Sequence, residues 1–314
     1  DTIGCNYFVG DGSGFASREN TRFIMESCEY NRHFLAYHPT NVVLTNIELE
    51  HTECYDGIED IIHTFQTFVS SANGLIVMCG DDKNVRKIKT HTQTIYYGFD
   101  ETNDLVAKNV KLTSLGSEFD VYQNGTFYGH FDLPLFGRHM ILNALAAIAI
   151  CDYYGIGAKE IENSVHTFHG AKRRFKEIVA GDVVIIDDYA HHPTELRVTL
   201  EAAHQKYPDK ELVAVFLPNT YSRTLALLDD FVEVLKKADK AYIMDIHCDR
   251  ERREDYQNVS SDMIIERVPD SEKISEDTVQ KLLAHKNAVI CFMSCADIYI
   301  IERKFEDLLG VEHD

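Results

Sequence analysis

A chain of 314 residues that is 45% hydrophobic and 26% charged carries enough apolar material for two globular domains of ordinary size. Its formal net charge of −20 repels nucleic-acid backbones and anionic lipid, so neither is expected as a bulk partner, and no apolar run approaches the length of a membrane span. The eight cysteines show no C-x-x-C pairing, and Cys151, Cys291 and Cys295 sit in apolar contexts, which predicts free thiols in a reducing cytoplasm.

The first residue is Asp1, no signal-peptide pattern follows it, and Phe8–Gly14 reads as mid-domain sequence. The expectation is a chain that starts inside a larger protein. Arg22–Met25 and Val42–Ile47 read as short strands running into Glu26 and Glu48. Ile58, Ile61, Ile62, Phe65 and Phe68 recur at helical spacing. Leu75–Cys79 is a buried strand closed by the polar turn Gly80-Asp81-Asp82. From about Asp104 to Leu133 the pattern suggests a small antiparallel sheet, with Gln123-Asn124-Gly125 as a hairpin turn. Met140–Ile150 is apolar nearly all round and reads as a buried helix.

Beyond this point strands Val183–Ile186, Leu212–Leu217, Ala241–Ile246 and Ala288–Met293 alternate with helical stretches, which predicts a mainly parallel sheet with covering helices. The boundary between the halves falls near Thr167–Gly170. The mixed-charge run Asp249–Asp255 reads as a solvated loop or helix end.

The densest chemistry is Asp187-Asp188-Tyr189-Ala190-His191-His192-Pro193-Thr194-Glu195, where an apolar strand ends in two carboxylates, a phenol and two imidazoles. A capped helix explains part of it: His192 as N-cap, Pro193 at the first helical position and Glu195 at the positive helix end. That leaves the paired aspartates and paired histidines, which point to a site at the carboxyl end of a strand. Glu26 and His51 each follow a strand. If those strands are adjacent and parallel, the two side chains share one edge and suit a magnesium ion completed by water and phosphate; the alternative is a loop cap and a surface histidine. His139 and Asn143 lie one helical turn apart, and a buried Asn143 amide needs either a purine edge or a backbone carbonyl. Arg173 and Arg174, beside Lys172, offer donor forks matched to phosphate oxygens at the domain boundary, or else an interdomain salt bridge. Arg223 falls in the first turn of a helix, where the dipole would help it hold a small carboxylate, or it is simply a solvated arginine.

In order, Glu26–Phe34, Thr45–His51, Gly137–Ala144, Gly170–Phe175, Asp187–Glu195 and Phe216–Thr224 resemble the motifs of the Mur ligases, most closely the branch that joins L-alanine to UDP-N-acetylmuramate. The resemblance spans essentially the whole chain. It implies an α/β protein with a truncated mononucleotide-binding central domain (residues 1–168) and a C-terminal Rossmann-like domain (169–314). The family's phosphate loop, with its G-K-T core, is absent, and Gly10-Asp11-Gly12-Ser13-Gly14 does not replace it; the UDP-binding domain is absent too.

The implied chemistry is phosphorylation of a carboxylate by ATP and attack of an amine on the acyl phosphate, in the cytoplasm. ATP and Mg2+ are the cofactors, UDP-N-acetylmuramate and L-alanine the substrates. Glu26 and His51 would ligate magnesium; His139 and Asn143 would face adenine, and Arg173 and Arg174 phosphate. Asp188, Tyr189 and His191 would stand at the reacting centre, and His192 and Arg223 on substrate. An imidazole of ordinary pKa could take the proton of the attacking ammonium. Where the family has F-Q-P-H and F-M-G-A-G-D-I, this chain has Phe216-Leu217-Pro218-Asn219 and Phe292-Met293-Ser294-Cys295-Ala296-Asp297-Ile298. T-N-I-x-x-D-H becomes Thr45–His51 with Glu50, a milder change. A murein tripeptide ligase and a non-catalytic module that kept the fold are the competing readings.

Overall fold

The computed structural model describes residues 3–312. It divides into two compact units, one of Asp1–Lys111 and Gly116–Ala171, the other of Leu112–Leu115 and Lys172–Asp314.

The first unit begins with β1 (Asn6–Phe8), β2 (Gly14–Phe15) and β3 (Phe23–Met25), a small sheet in which β1 pairs antiparallel with β2 and parallel with β3. β4 (Val42–Leu44) opens a second sheet and leads through α1 (Ile58–Ser70) to β5 (Ile76–Cys79), β6 (Thr94–Gly98), β7 (Leu105–Thr113), β8 (Gly116–Gln123) and β9 (Thr126–Leu133), in spatial order β4 to β9. Every residue of β5 is buried, as expected of a strand covered on both faces. α1 turns Ile61, Ile62, Phe68 and Val69 inward, each worth about 1.5–3 kcal/mol of burial.

Residues 104–133 do not form a sheet of their own. β7 pairs parallel with β6, Tyr97 opposite Leu105, so the antiparallel hairpin extends the parallel sheet. Its turn does follow the sequence: Asn124 and Gly125 both take positive φ, as a two-residue hairpin loop requires. α2 (Arg138–Tyr153) buries Ile141, Ala144, Leu145 and Ile148 but leaves Asn143 and Ala147 exposed, so it is buried along a stripe and not all round. α3 (Ala158–His166) follows.

The second unit contains β10 (Lys176–Ala180), β11 (Val183–Asp188), α4 (Pro193–Lys206), β12 (Glu211–Phe216), α5 (Tyr221–Ala226), α6 (Leu228–Leu235), β13 (Lys240–Ile243), α7 (Asp262–Ile265), β14 (Ser271–Lys273), β15 (Ala288–Met293) and α8 (Tyr299–Leu309). The sheet order is β10-β11-β15-β12-β13-β14, parallel throughout except at the β10 edge. This is the mainly parallel α/β arrangement expected from the strand–helix alternation. The last strand inserts between β11 and β12, so the segments leaving β11, β12 and β15 meet at one carboxyl edge. All eight cysteines are free. Among the described residues no helix is long and apolar enough to cross a membrane.

Candidate active site

At the carboxyl edge of the second unit, strand alternation sends the paired aspartates to opposite faces. Asp188 accepts the Phe175 N–H at 2.8 Å and the Ala190 N–H at 2.9 Å. Burial pushes its carboxyl pKa up, against those two hydrogen bonds and the charge of Arg174. Asp188 therefore ties β11 to the preceding loop, where Arg173 and Phe175 both take positive φ. The Tyr189 N–H closes the same loop on Arg173 O at 3.1 Å. Asp187 faces the other way, its Oδ1 without a hydrogen bond, and burial raises its pKa against the pull of Arg173 and Lys176.

The arginine pair stands over Tyr189: the guanidinium carbons of Arg173 and Arg174 lie 4.9 and 5.4 Å from its ring centroid. Arg174 also reaches Glu195 Oε1 at 3.7 Å. His191 carries its Nδ1 2.9 Å from Tyr189 O and 3.2 Å from Glu195 Oε2. Burial opposes its charged form, but the hydrogen bond with Cys295 and the charge of Glu195 prevail and bring the pKa to about 9. The surroundings of His191 thus favour its charged form. The expectation of an imidazole ready to take a proton is corrected; the group as folded attracts anions.

The helix cap forms as the sequence suggests. His192 Nδ1 accepts the Thr194 N–H at 3.2 Å, and Glu195 Oε2 accepts the N–H groups of His191 and His192. Glu195 is the group that sequence reading undervalued: it serves as cap, as partner of His191 and as partner of Arg174. The His192-x-x-Glu195 spacing was the signal.

Arg223 is buried, 4% exposed, which rules out the solvated arginine. Its Nη1 donates to Asn219 O at 2.9 Å, and its charge is felt at His191. The N-terminus of α5 is not open to a ligand carboxylate, however. Glu251 Oε2 already accepts the N–H groups of Tyr221 and Ser222, at 2.6 and 3.2 Å. One residue of the expected solvated run 249–255 is therefore a cap. The two stretches that depart from the family motifs touch each other: Ser294 Oγ donates to Leu217 O at 2.9 Å, and the Ser294 N–H to Asp188 O at 3.2 Å.

In the first unit the expected metal pair does not arise from neighbouring strands of one sheet. Glu26 follows β3 and His51 follows β4, and these strands belong to different sheets; β3 pairs with β1. The Glu26 carboxylate accepts the Gly10 N–H at 2.6 Å. His51, at positive φ, has other carboxylates around it: Glu29 Oε1 at 3.2 Å, Glu53 Oε1 at 3.6 Å and Glu50 Oε1 at 3.8 Å. Burial opposes its protonation, and hydrogen bonds with Glu29 and Glu53 and the charge of Glu50 overcome it, to about 9. The adjacent parallel strands on which the Glu26–His51 pairing was expected are therefore not present. His139 and Asn143 do lie one turn apart on α2, but Asn143 is exposed and its amide contacts only Met140 Sδ at 3.8 Å, so no buried amide demands a partner.

Two family models match the chain: the Mur ligase middle domain over residues 12–151, and the Mur ligase, glutamate ligase domain over residues 173–295. The chain belongs to the Mur ligase family. Among solved structures it is similar to the UDP-N-acetylmuramate–alanine ligase of Thermotoga maritima, at 20% identity over 99% of this chain and 70% of that one, with a TM-score of 0.78. The MurF ligase of Thermotoga maritima, solved in complex with ADP, gives 17% identity, coverage of 97% and 74%, and a TM-score of 0.76. A murein peptide ligase of Psychrobacter arcticus gives 22%, 96% and 66%, and 0.67. The chain thus spans about two thirds to three quarters of these Mur ligase structures, and at such identities the likeness concerns the fold.

Proposed function

We propose that this Mur ligase chain serves an ATP-dependent ligation in which L-alanine is joined to UDP-N-acetylmuramate. The γ-phosphoryl group of ATP passes to the muramyl carboxylate; the amine then attacks the acyl carbon, forming the amide and expelling phosphate. The observation that carries this reading is the convergence of Arg173, Arg174, Tyr189, the His191 imidazolium and buried Arg223 around one sheet edge. Positive groups held in place before reaction are what a transferring phosphoryl group and an acyl phosphate require.

In this reading Arg173 and Arg174 hold phosphoryl oxygens, with Tyr189 as the platform that orders them. His191 stabilises charge on the departing phosphate, and Asp188 positions the loop that carries the arginines. A guanidinium as buried as Arg223 suits a small α-carboxylate, with His192 as a second substrate-side group. His139 and Asn143 present a ring and an amide to adenine. ATP is supplied as its magnesium complex; since Glu26 and His51 follow strands of different sheets, no step is routed through a metal ligand set here. Residues 1–314 contain no G-K-T loop, and backbone N–H groups and a lysine on the phosphates contribute much of the family's rate. We infer that these residues alone turn over slowly or not at all.

The test is ADP release with ATP, Mg2+ and UDP-N-acetylmuramate, using L-alanine or a muramyl tripeptide as amine, in residues 1–314 and in the protein as its gene encodes it. Activity with L-alanine in the gene-encoded protein, raised in KM for alanine but not for ATP by Arg223→Met, supports the reading. Preference for the tripeptide transfers it to the recycling ligases. Inactivity with both amines in both proteins favours a non-catalytic module.

A further inference from the structure

The outer face of the β8–β9 hairpin gathers a different chemistry. The inner face is fixed by Phe119, Val121, Phe131 and Leu133, all buried, with the two phenyl rings stacked at 5.7 Å. That packing sets a register in which Glu118 stands opposite Asp132 and Asp120 opposite His130, all four on the outer face. Like charges directly opposed across strands are unfavourable, yet here Glu118 and Asp132 face each other next to a third carboxylate. One ligand atom each from Glu118, His130 and Asp132 lie within 4.8 Å of one another.

The imidazole distinguishes this set from an ordinary acidic patch. His130 Nδ1 lies 2.7 Å from Asp120 Oδ1, and Asp120 Oδ2 accepts the Asn109 amide at 2.7 Å. Asp120 accepts only, so Nδ1 carries the hydrogen, and Nε2 is the ring atom turned toward Asp132 Oδ1, at 3.6 Å. A histidine whose far nitrogen is held by a carboxylate is the arrangement that orients imidazole ligands on metals. Donors bound at about 2.1 Å around a tetrahedral ion stand ~3.4 Å apart, within reach of small rotations of these exposed side chains.

We propose that Glu118, His130 Nε2 and Asp132 form a three-ligand site for a zinc-class divalent cation, with Asp120 and Asn109 orienting the histidine and water completing the shell. Imidazole with carboxylates favours such an ion over Mg2+ or Ca2+, which take oxygen ligands. The ion clasps β8 to β9 and neutralises the opposed pair. Lys111 Nζ, 3.3 Å from Glu118 Oε2, competes for the same carboxylate. The site is independent of the ligase reading.

The test is titration of the 314-residue chain with Zn2+ against a competing chromophoric chelator, with Mg2+ and Ca2+ in parallel. The wild-type chain and the His130→Gln, Asp120→Asn and Lys111→Met variants are compared, with circular dichroism checking the fold. We expect His130→Gln to lower the stoichiometry by one and Asp120→Asn to weaken that site about 10–100-fold. Lys111→Met should tighten it, and the His130 ring 15N signals should shift on Zn2+ addition. Unchanged stoichiometry and affinity in His130→Gln, or Mg2+ binding the hairpin as tightly as Zn2+, overturns the proposal. Indifference to Asp120→Asn overturns the orienting role.

Discussion

Replacing Glu302 by glutamine should stabilise the second unit at alkaline pH and reduce its pH dependence. Glu302 and Glu306 are each 4% exposed, and Asp187 is 8% exposed. Burial, the charges of Asp187 and Glu306 and a hydrogen bond with Glu306 raise Glu302 from 4.5 to about 8. Three buried carboxylates cannot all ionise at ordinary cost, so the folded chain retains a proton that the unfolded chain releases. The stabilisation is complete below pH ~4.5 and is lost as pH rises through about 8. We expect ~2 kcal/mol from the single substitution at alkaline pH. The assay is hydrogen exchange of β11 and β15 amides between pH 5 and 8.5, corrected for intrinsic exchange. The wild-type unit should weaken across this range more steeply than Glu302→Gln, which keeps the slope that His191 contributes, and the two should match near pH 5. A wild-type profile that is flat, or a variant whose slope equals that of the wild type, refutes the reasoning.

Gly98→Ala should destabilise the first unit by roughly 2–3 kcal/mol, since a Cβ there would stand 2.2 Å from Asp81 Oδ1 and displace the Asp81–Asn103 hydrogen bond; urea unfolding measures it. Asp188→Ala should cost about 1–3 kcal/mol by stranding the Phe175 and Ala190 N–H groups, and should speed exchange at Phe175; intact protection there would count against the anchor. His191 should stay charged in NMR titration up to pH ~8 and lose its proton near 9, and Glu195→Gln should lower that midpoint; an imidazole already neutral at pH 7 would contradict the geometry.

Much of the second unit was legible because its strands are continuous apolar runs that end in polar residues. Val183–Ile186 and Ala288–Met293 announce both the strand and the edge at which chemistry collects. The pairing of Glu26 with His51 was not legible. It depends on which strands neighbour each other across some twenty residues, and the hydrophobic pattern reports burial but not lateral order. Asn143 misled for a related reason: an apolar composition hid the one exposed stripe of α2. Arg223 and Glu251 show the converse, since charged residues read as solvated until a buried backbone carbonyl or a helix end claims them. The hairpin set Glu118, Asp120, His130 and Asp132 is spread over two strands and becomes a cluster only through the Asn124-Gly125 turn.

The neighbouring aspartates of β11 make the strand's parity part of its chemistry. One carboxylate faces α8, where its charge helps raise the pKa of Glu302; the other anchors the loop that presents two arginines. Inserting or deleting one residue in β11 would turn each carboxylate to the opposite face, away from the partner it now serves. The odd–even phase of six residues thus separates a titrating interior from a positively charged edge, and this is a constraint that no single substitution at either aspartate reproduces.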